Sequence, residues 1–207
     1  MGDLATFLAD SEGLDQQGRL LREALDGRGA WRIVSAWEQL LDTAQEPTER
    51  TSKPFAVRPA EIGDARLLFD WRNDESARRQ SRTREALEWD THRSWLQEAI
   101  TDPHRKLLIV ESENEPIATV RWDRRAPIDW EVSVTIAPQH RRKGYGRRVL
   151  SEAEAALTFD PPLRMVADIH IDNGASRRLF SAAGYLPQAP PDADGFERRA
   201  KWRLPTG

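Results

Sequence analysis

Basic residues around two glycines are the part of this sequence whose types and spacing point most directly to chemistry. Cations at 141, 142, 143, 147 and 148 flank Gly144 and Gly146, at the junction between an apolar strand and a helix. Unpaired N–H groups and the positive end of the helix dipole attract anions at such a junction, and glycine lets a ligand approach the backbone closely. The pattern therefore predicts a site for a phosphate or pyrophosphate group.

The turn does not match two common phosphate-binding motifs. A Walker turn needs Ser or Thr after the lysine that follows its second glycine, and the dinucleotide fingerprint needs a third glycine where Val149 stands. An ordinary basic connection between a strand and a helix therefore stays open as the alternative. The four histidines, at 92, 104, 140 and 170, lack the spacing of metal ligands, so no metal site is expected.

The elements that position the turn are short strands alternating with helices, beginning at residue 55. Apolar periodicity predicts helices over 61–79, 89–100, 146–157 and 175–183. It predicts strands over 55–58, 106–111, 115–123, 130–136, 164–171, 185–186 and 198–204. Because three consecutive strands in the middle are separated only by short turns, antiparallel pairing is the simplest arrangement. We expect an α/β (α+β) fold, in which helices flank a mixed and mostly antiparallel central sheet.

Composition divides the chain into three parts. Residues 1–42 show helical spacing and predict a short N-terminal extension, 43–54 are polar with two prolines and predict a linker, and 55–207 form the main domain. An extension of this length cannot bury a core alone, so we expect it to dock on the main domain or on a partner. A homodimer formed through these helices is one form of that docking.

Composition and charge exclude several classes of protein. The 207 residues are 39% hydrophobic and 31% charged, which provides a core and excludes a disordered or low-complexity chain. The net charge of −3 predicts no general affinity for nucleic acid, and no apolar run approaches the roughly 20 residues that a membrane span needs. With no cysteine, and with acids near the start where a signal peptide carries bases, we expect a cytoplasmic protein.

Two motifs in order resemble those of one enzyme family. R-x-x-G-x-G at 141–146, after an apolar strand, is similar to the acetyl-CoA turn of the GCN5-related N-acetyltransferases (GNAT). Asn173 to Tyr185 is similar to the same family's N-x-x-S/A-x-x-L-F/Y-x-x-x-G-F/Y signature. The resemblance covers about Phe55 to Leu204 and implies the GNAT fold, with acetyl-CoA as the acyl donor and a primary amine of a small molecule as the acceptor.

The resemblance implies a definite place for acetyl-CoA. The strand at 132–136 would splay from the next strand, and its exposed backbone would pair with the pantetheine arm as an added strand does. Backbone amides of 142–147 would hold the pyrophosphate, while arginines of the turn reach the adenosine 3′-phosphate. The cofactor-binding residues implied are Val134, Thr135, Ile136, Arg141, Arg142, Lys143, Gly144, Tyr145, Gly146, Arg147, Asn173 and Ser176. For Asn173, a plain helix N-cap is the alternative.

Two carboxylates are candidates for the base that takes the proton of the attacking amine. Glu131 lies at the start of the strand that would bind pantetheine and resembles a family pattern there, with an ion-paired surface acid as the alternative. Asp168 lies on the neighbouring strand, where some relatives carry a catalytic glutamate. Where many relatives carry a tyrosine as general acid, this chain has Phe180, so Tyr185, water or the ammonium itself would protonate the leaving thiolate.

Three further motifs resemble acetyltransferases that modify amino groups on nucleotide-linked deoxysugars of the pseudaminic acid pathway. They are W-R-N-D at 71–74, H-x-x-W at 92–95 and R-x-D at 121–123. The residues that would line the acceptor side are Trp71, Arg72, Asn73, His92 and Arg121. Arginine or tryptophan would meet the phosphate or the base of such a nucleotide. Packing in the core is the alternative for Trp71 and Trp95, and a surface ion pair is the alternative for Arg72.

The leading hypothesis is thus an acetyl-CoA-dependent N-acetyltransferase for a small amine, preferably an amino-sugar nucleotide. A protein N-terminal acetyltransferase of the ribosomal-protein type is the alternative within the class. A catalytically silent acyl-CoA-binding module is the alternative outside it, because the family's usual general acid is missing. The basic turn alone also leaves nucleic-acid binding as a weaker alternative.

Overall fold

A seven-stranded sheet organises the part of the chain that the computed structural model describes, residues 54–158 and 162–203. The strands are β1 (Phe55–Pro59), β2 (Arg105–Ser112), β3 (Glu115–Arg124), β4 (Asp129–Ile136), β5 (Leu163–His170), β6 (Leu186–Pro187) and β7 (Phe196–Arg203). The helices are α1 (Ala65–Asn73), α2 (Glu75–Arg79), α3 (Trp89–Ala99), α4 (Gly146–Ala155) and α5 (Gly174–Ala182), with 3₁₀ turns at Ile62–Asp64 and Pro138–His140. The predicted extension at 1–42, and all of the predicted linker except Pro54, lie outside the described residues.

The strand order β1-β2-β3-β4-β5-β7-β6 confirms the mixed and mostly antiparallel sheet. Only β4 and β5 run parallel among the paired strands of the described residues, and β7 inserts antiparallel between β5 and β6. Glu113 and Asn114 close the β2–β3 hairpin with positive φ angles of 54° and 64°, which suit the twist of the two strands. The strand ends differ from the predicted ends by no more than two residues.

Pairing between β4 and β5 stops early, and this opens the sheet. The two strands pair over Asp129 to Glu131 against Arg164 to Val166, and no farther. Beyond Glu131 the second half of β4 has no strand on its β5 side. The sheet therefore contains the splay that the family resemblance implies for 132–136.

Two cores cover the two faces of the sheet. On one face α4 and α5 pack over the central strands, where Trp122, Leu150 and Met165 are buried. On the other face α1 and α3 pack over β2, where Leu96 and Ile109 are fully buried. Because this second core lies towards the β1 side, the same face of β4 and β5 carries polar side chains beside it.

One predicted helix is broken in the structure. The sequence predicts a helix over 61–79, but Asp74 leaves the helical conformation (φ −55°, ψ 134°) and separates α1 from α2. Its side chain accepts a hydrogen bond from Ala77 N (3.1 Å) and so caps α2. The break therefore has a local cause, a capping carboxylate inside an otherwise helical pattern. No helix within the described residues is long and apolar enough to cross a bilayer.

Candidate active site

The opening between β4 and β5 is the centre of the candidate site. Ala137 N donates to Ile117 O near the start of β3 (2.9 Å), and strand alternation then directs the backbone N–H and C=O groups of Val134 and Ile136 away from β3. These groups point into the opening, because β5 no longer pairs there. They form a short strand edge with which an extended ligand arm can pair.

The turn after β4 has the backbone geometry of an anion-binding loop. Arg142 and Gly144 have left-handed φ angles of 61° and 78°, while Lys143 between them does not. Alternation of this kind points successive N–H groups into one concavity. The helix α4 begins at Gly146, so the N–H groups of its first turn face the same place without intrahelical partners. The residues present therefore fit a pyrophosphate, as expected from the sequence.

Gly144 is the position at which a substitution tests this turn most cleanly. A Cβ at Gly144 would meet no atom within 4 Å, so Gly144→Ala adds only the strain of a left-handed φ, about 1 kcal/mol. We expect the free turn to relax and the affinity for coenzyme A to fall roughly fivefold, as measured by calorimetric titration. Gly63→Ala is the matched control, because its Cβ also meets nothing and its φ is not left-handed. Equal affinity in both variants would contradict a role of the turn in holding the phosphates.

Arg141 ties the turn to the acceptor side. Its Nη1 donates to Asp74 Oδ1 at the α1–α2 junction (2.5 Å), and its Nε donates to Ile136 O (3.2 Å). Burial would raise the pKa of Asp74, but the hydrogen bonds from Arg141 and from Ala77 N lower it overall, so the pair is ionised at neutral pH. The structure thus gives Arg141 a connecting role, and its contact with the 3′-phosphate stays a prediction.

His140 holds a second cation of the turn. Lys143 Nζ lies 3.3 Å from His140 Nδ1, and His140 Nε2 lies 2.9 Å from Glu115 Oε1. Because an ammonium only donates, Nδ1 accepts and Nε2 carries the proton that is donated to Glu115. Local sequence patterns do not predict this contact, since only the β2–β3 hairpin brings Glu115 next to the turn.

The other predicted cofactor residues lie around the same end of the sheet. Arg142 and Arg147 are exposed on the turn, while Tyr145 packs edge-on against Phe55 (ring centroids 5.5 Å apart). Asn173 Oδ1 accepts a hydrogen bond from Ser176 N (3.0 Å), which confirms the N-cap interpretation of Asn173. Contacts of these residues with the cofactor remain predictions.

Glu131 lies at the vertex of the opening, because it is the last β4 residue that pairs with β5. Its carboxylate accepts a hydrogen bond from Arg125 Nε (2.7 Å), and 31% of its side chain is exposed. Alternation places Ser133 on the same face, and cross-strand pairing places Asp123 opposite Glu131. Glu131 is therefore ion-paired at the vertex of the opening, and its role as the base stays a prediction.

Asp168, the second candidate base, is held more firmly. Its carboxylate accepts two hydrogen bonds from Arg198 (2.8 and 2.9 Å) and one from Arg82 (3.3 Å). Burial would raise the pKa of Asp168, but these two arginines lower it overall, which makes the carboxylate a weak base. Arg82 also donates to Asp192 (2.8 Å) and lies over the Phe196 ring (4.1 Å), so this cluster fastens the loop after α2 to β7.

The two aromatic residues considered as proton donors are both in the core. Phe180 is buried and packs edge-on against Tyr185 (ring centroids 4.9 Å apart). The Tyr185 hydroxyl donates to Glu154 Oε1 (2.8 Å), and burial beside that carboxylate raises the pKa of Tyr185 far above its ordinary value. Tyr185 is therefore excluded as the acid.

Three of the residues predicted to bind the acceptor amine have structural contacts instead: Trp71, His92 and Asn73. Trp71 and His92 are 4% and 3% exposed inside the second core, so the structure supports packing for Trp71 and gives His92 no contact with the open face. His92 Nε2 lies 3.1 Å from Ala65 O. Asn73 donates to Leu87 O (3.0 Å) and accepts from Leu87 N (2.8 Å), which pins the loop before α3.

Arg72 and Arg121 are the two charged residues among those predicted to bind the acceptor amine. Arg72 Nη2 donates to Thr83 O (2.9 Å), and Arg121 Nε lies 3.0 Å from Asp123 Oδ2. Burial lowers the pKa of Arg121, although Asp123 and Glu131 oppose the shift. In the part of the chain that the structure describes, three or more metal-ligating side chains do not come together.

Burial of His92 makes stability depend on pH. Burial lowers the pKa of His92 below its ordinary value of 6.5, so the unfolded chain binds a proton in a pH range where the folded chain does not. We expect the free energy of unfolding to be unaffected by His92 above about pH 6.5 and to fall as the pH drops below it. Urea denaturation of His92→Gln at a series of pH values should show a flatter dependence. His104→Gln, at an exposed position, should keep the original slope, and equal slopes in all three proteins would contradict the assignment.

Comparison with known proteins assigns this geometry to one family. The family model described as "Acetyltransferase (GNAT) domain" matches residues 55–186, which is more than half of the chain. The chain belongs to the GNAT acetyltransferase family. Membership of the GNAT family confirms the expected N-acetyltransferase and acetyl-CoA as its acyl donor.

The GNAT relatives differ in what their names describe. "Uncharacterized N-acetyltransferase YfmK" of Bacillus subtilis (strain 168) is 26% identical over 134 residues, which cover 64% of this chain and 86% of YfmK. A spermidine N-acetyltransferase from Vibrio cholerae, solved with CoA and spermine, is 17% identical (TM-score 0.62, 74% of this chain and 96% of that chain). Aminoglycoside acetyltransferase AAC(6')-Ib, solved with coenzyme A, is also 17% identical (TM-score 0.61, 72% and 95%). At these identities the two solved GNAT structures support the fold alone.

Proposed function

We propose that this GNAT protein transfers the acetyl group of acetyl-CoA to a primary amine of a small molecule, preferably an amino-sugar nucleotide. The observation that carries the proposal is the position of Glu131 at the vertex of the β4–β5 opening. The opened strand edge belongs to β4, as Glu131 does, and the turn with alternating φ follows β4 directly. A base and a binding site for a thioester cofactor would therefore lie side by side.

The chain's own groups cover most of the steps that amine acetylation needs. When bound, acetyl-CoA supplies a thioester carbon for attack by a neutral amine. The N–H of Val134 points into the opening and would stabilise the negative charge that develops on the thioester oxygen. Glu131 would take the proton of the attacking nitrogen, directly or through a water. As the C–S bond breaks, the thiolate would take a proton from water while Glu131 returns its own to the solvent, or would take the nitrogen's proton directly in place of Glu131, because Tyr185 is buried and Phe180 has none to give.

The amino-sugar nucleotide is favoured by the W-R-N-D resemblance at 71–74 and by the charge of the acceptor side. Arg72 and Arg121 would line that side, and guanidinium groups suit phosphate oxygens. A polycation such as spermidine would instead add positive charge to a side already rich in arginine.

A silent acyl-CoA-binding module is the second candidate. The observation that favours it is the burial of both Phe180 and Tyr185, which leaves the site without the tyrosine acid that many family members use. A module of this kind would bind acetyl-CoA through the same turn and release no thiol with any amine.

Thiol release from acetyl-CoA in the presence of different amines separates these candidates. We expect kcat/KM to be highest for a nucleotide-linked amino sugar, lower for glucosamine, and lowest for spermidine and for a short peptide with a free N-terminus. Highest activity with spermidine or the peptide would overturn the preferred acceptor. Tight binding of acetyl-CoA without thiol release from any amine would favour the silent module.

A further inference from the structure

We infer that Arg72, Arg78 and Arg121 (the arginine triad) form an anion subsite that takes a phosphate or carboxylate group carried by the acceptor itself. The inference deepens the proposed function and rests on it for one point, that the bound anion belongs to the amine being acetylated. The subsite itself depends only on the charge, burial and strand register of these arginines.

The triad brings three guanidinium groups together from α1, α2 and β3. Arg72 donates to Thr83 O (2.9 Å) and Arg78 to the adjacent Arg84 O (3.3 Å), so one loop holds both guanidinium groups. Burial and then the positive charges of Arg121 and Arg78 lower the pKa of Arg72, in keeping with Arg121 lying beside them. Within residues 54–158 and 162–203, neither Arg72 nor Arg78 forms an ion pair with a carboxylate. Like charges held together in this way favour the binding of an anion.

Asp123, the carboxylate beside Arg121, is shared among three arginines. Asp123 lies 3.0 Å from Arg121, 2.5 Å from Arg105 and 3.6 Å from Arg125, and Arg125 also pairs with Glu131. Asp123 and Glu131 are thus engaged by Arg121, Arg105 and Arg125, and neither pairs with Arg72 or Arg78.

Two triad members also have a buried N–H without a hydrogen-bond partner among the described residues, Arg72 Nη1 and Arg78 Nε. Other nitrogens of the same side chains donate to Thr83 O (2.9 Å) and Arg84 O (3.3 Å), which holds both arginines against the loop after α2. Burying a cation without a partner is unfavourable, and buried charges in proteins are usually paired. An anion among the three groups would supply the missing counter-charge.

The strand register places the triad close to the base. Arg121 pairs with Ser133 across β3 and β4, and Asp123 pairs with Glu131 one step along the same face, roughly 7 Å away. The Arg121 side chain is 34% exposed there, and its guanidinium lies 5.7 Å from the centre of the Trp95 ring. An acceptor that binds the triad through its anion would thus reach Glu131 with an amine only a few bonds away.

Binding of inorganic pyrophosphate to the protein saturated with coenzyme A tests the subsite without any turnover. Saturation fills the turn after β4, so the remaining binding reports on the triad. In calorimetric titration we expect Arg72→Gln and Arg121→Gln to weaken pyrophosphate binding by about 10- to 100-fold, the loss of one charge-assisted hydrogen bond. Arg79→Gln is the matched control, because it removes an exposed guanidinium next to Arg78 and should leave the affinity within about twofold.

The outcomes keep the subsite separate from the proposed function. Retained affinity for coenzyme A shows that a variant is folded, and Arg78→Gln and Arg121→Lys replace any variant that loses it. Absence of pyrophosphate binding to the wild-type complex, or equal binding by the triad variants, would overturn the subsite whatever the protein acetylates.

A kinetic comparison tests whether the bound anion belongs to the acceptor. We expect kcat/KM to be at least about 10-fold higher for glucosamine 1-phosphate than for glucosamine, and Arg121→Gln to abolish this difference. Stimulation of glucosamine turnover by free pyrophosphate would overturn that assignment.

Discussion

Glu131→Gln is expected to lower kcat by about 10²- to 10⁴-fold, the usual contribution of a positioned general base. The amide cannot take the proton of the attacking amine, but it keeps an oxygen that can accept the hydrogen bond from Arg125. We therefore expect the affinity for acetyl-CoA and the thermal midpoint to change little. Steady-state kinetics with the best amine of the panel, together with calorimetric titration of acetyl-CoA, measure both quantities.

Two comparison variants make the result specific to Glu131. Glu75→Gln removes an exposed carboxylate from a surface pair on α2 and should leave kcat unchanged. Asp168→Asn should lower stability, because the carboxylate binds two arginines, while kcat falls much less than in Glu131→Gln. A larger loss of kcat in Asp168→Asn than in Glu131→Gln would transfer the role of base to Asp168.

Asp74→Asn and Arg141→Gln are expected to raise the KM for acetyl-CoA by about 10-fold each, because each removes one charge of the half-buried ion pair that holds the turn. The same pair anchors the α1–α2 junction, so the KM for the amine should rise in parallel. Kinetics with each substrate varied in turn measures the two effects.

A double-mutant cycle shows whether the pair acts as one unit. The Asp74→Asn, Arg141→Gln double variant should be little worse than either single variant, since the interaction is already lost. Effects that add fully, or a change confined to acetyl-CoA, would contradict the idea that this ion pair connects the cofactor turn to the acceptor side. In that case Arg141 would act on the cofactor alone.

Local patterns in the sequence were sufficient for the strands and for the cofactor turn. Period-two alternation gave β2, β3 and β4 within one residue, because each strand has a clear buried face. The glycines and cations of 141–148 predicted an anion-binding turn, and the left-handed φ of Gly144 explains why a glycine stands there. Resemblance, rather than periodicity, supplied the splay and the candidate bases Glu131 and Asp168.

Contacts between distant segments could not be predicted in this way. Asp74 and Arg141 are 67 residues apart, and Arg82 and Asp168 are 86 residues apart, so only the assembled sheet shows that they meet. The motifs pointed to Arg72 and Arg121 but not to Arg78, because the three arginines come from different elements. Asp74 also shows how one capping carboxylate interrupts a helix that periodicity alone predicts as continuous.

Thiol release from acetyl-CoA with a nucleotide-linked amino sugar, with the product examined by mass spectrometry, tests the central claim most directly. We predict one acetyl group gained by the amine for each thiol released, and loss of this activity in Glu131→Gln with acetyl-CoA binding intact. Bound acetyl-CoA without thiol release from this or any other primary amine would contradict the claim that the opening between β4 and β5 is an acetyl-transfer site.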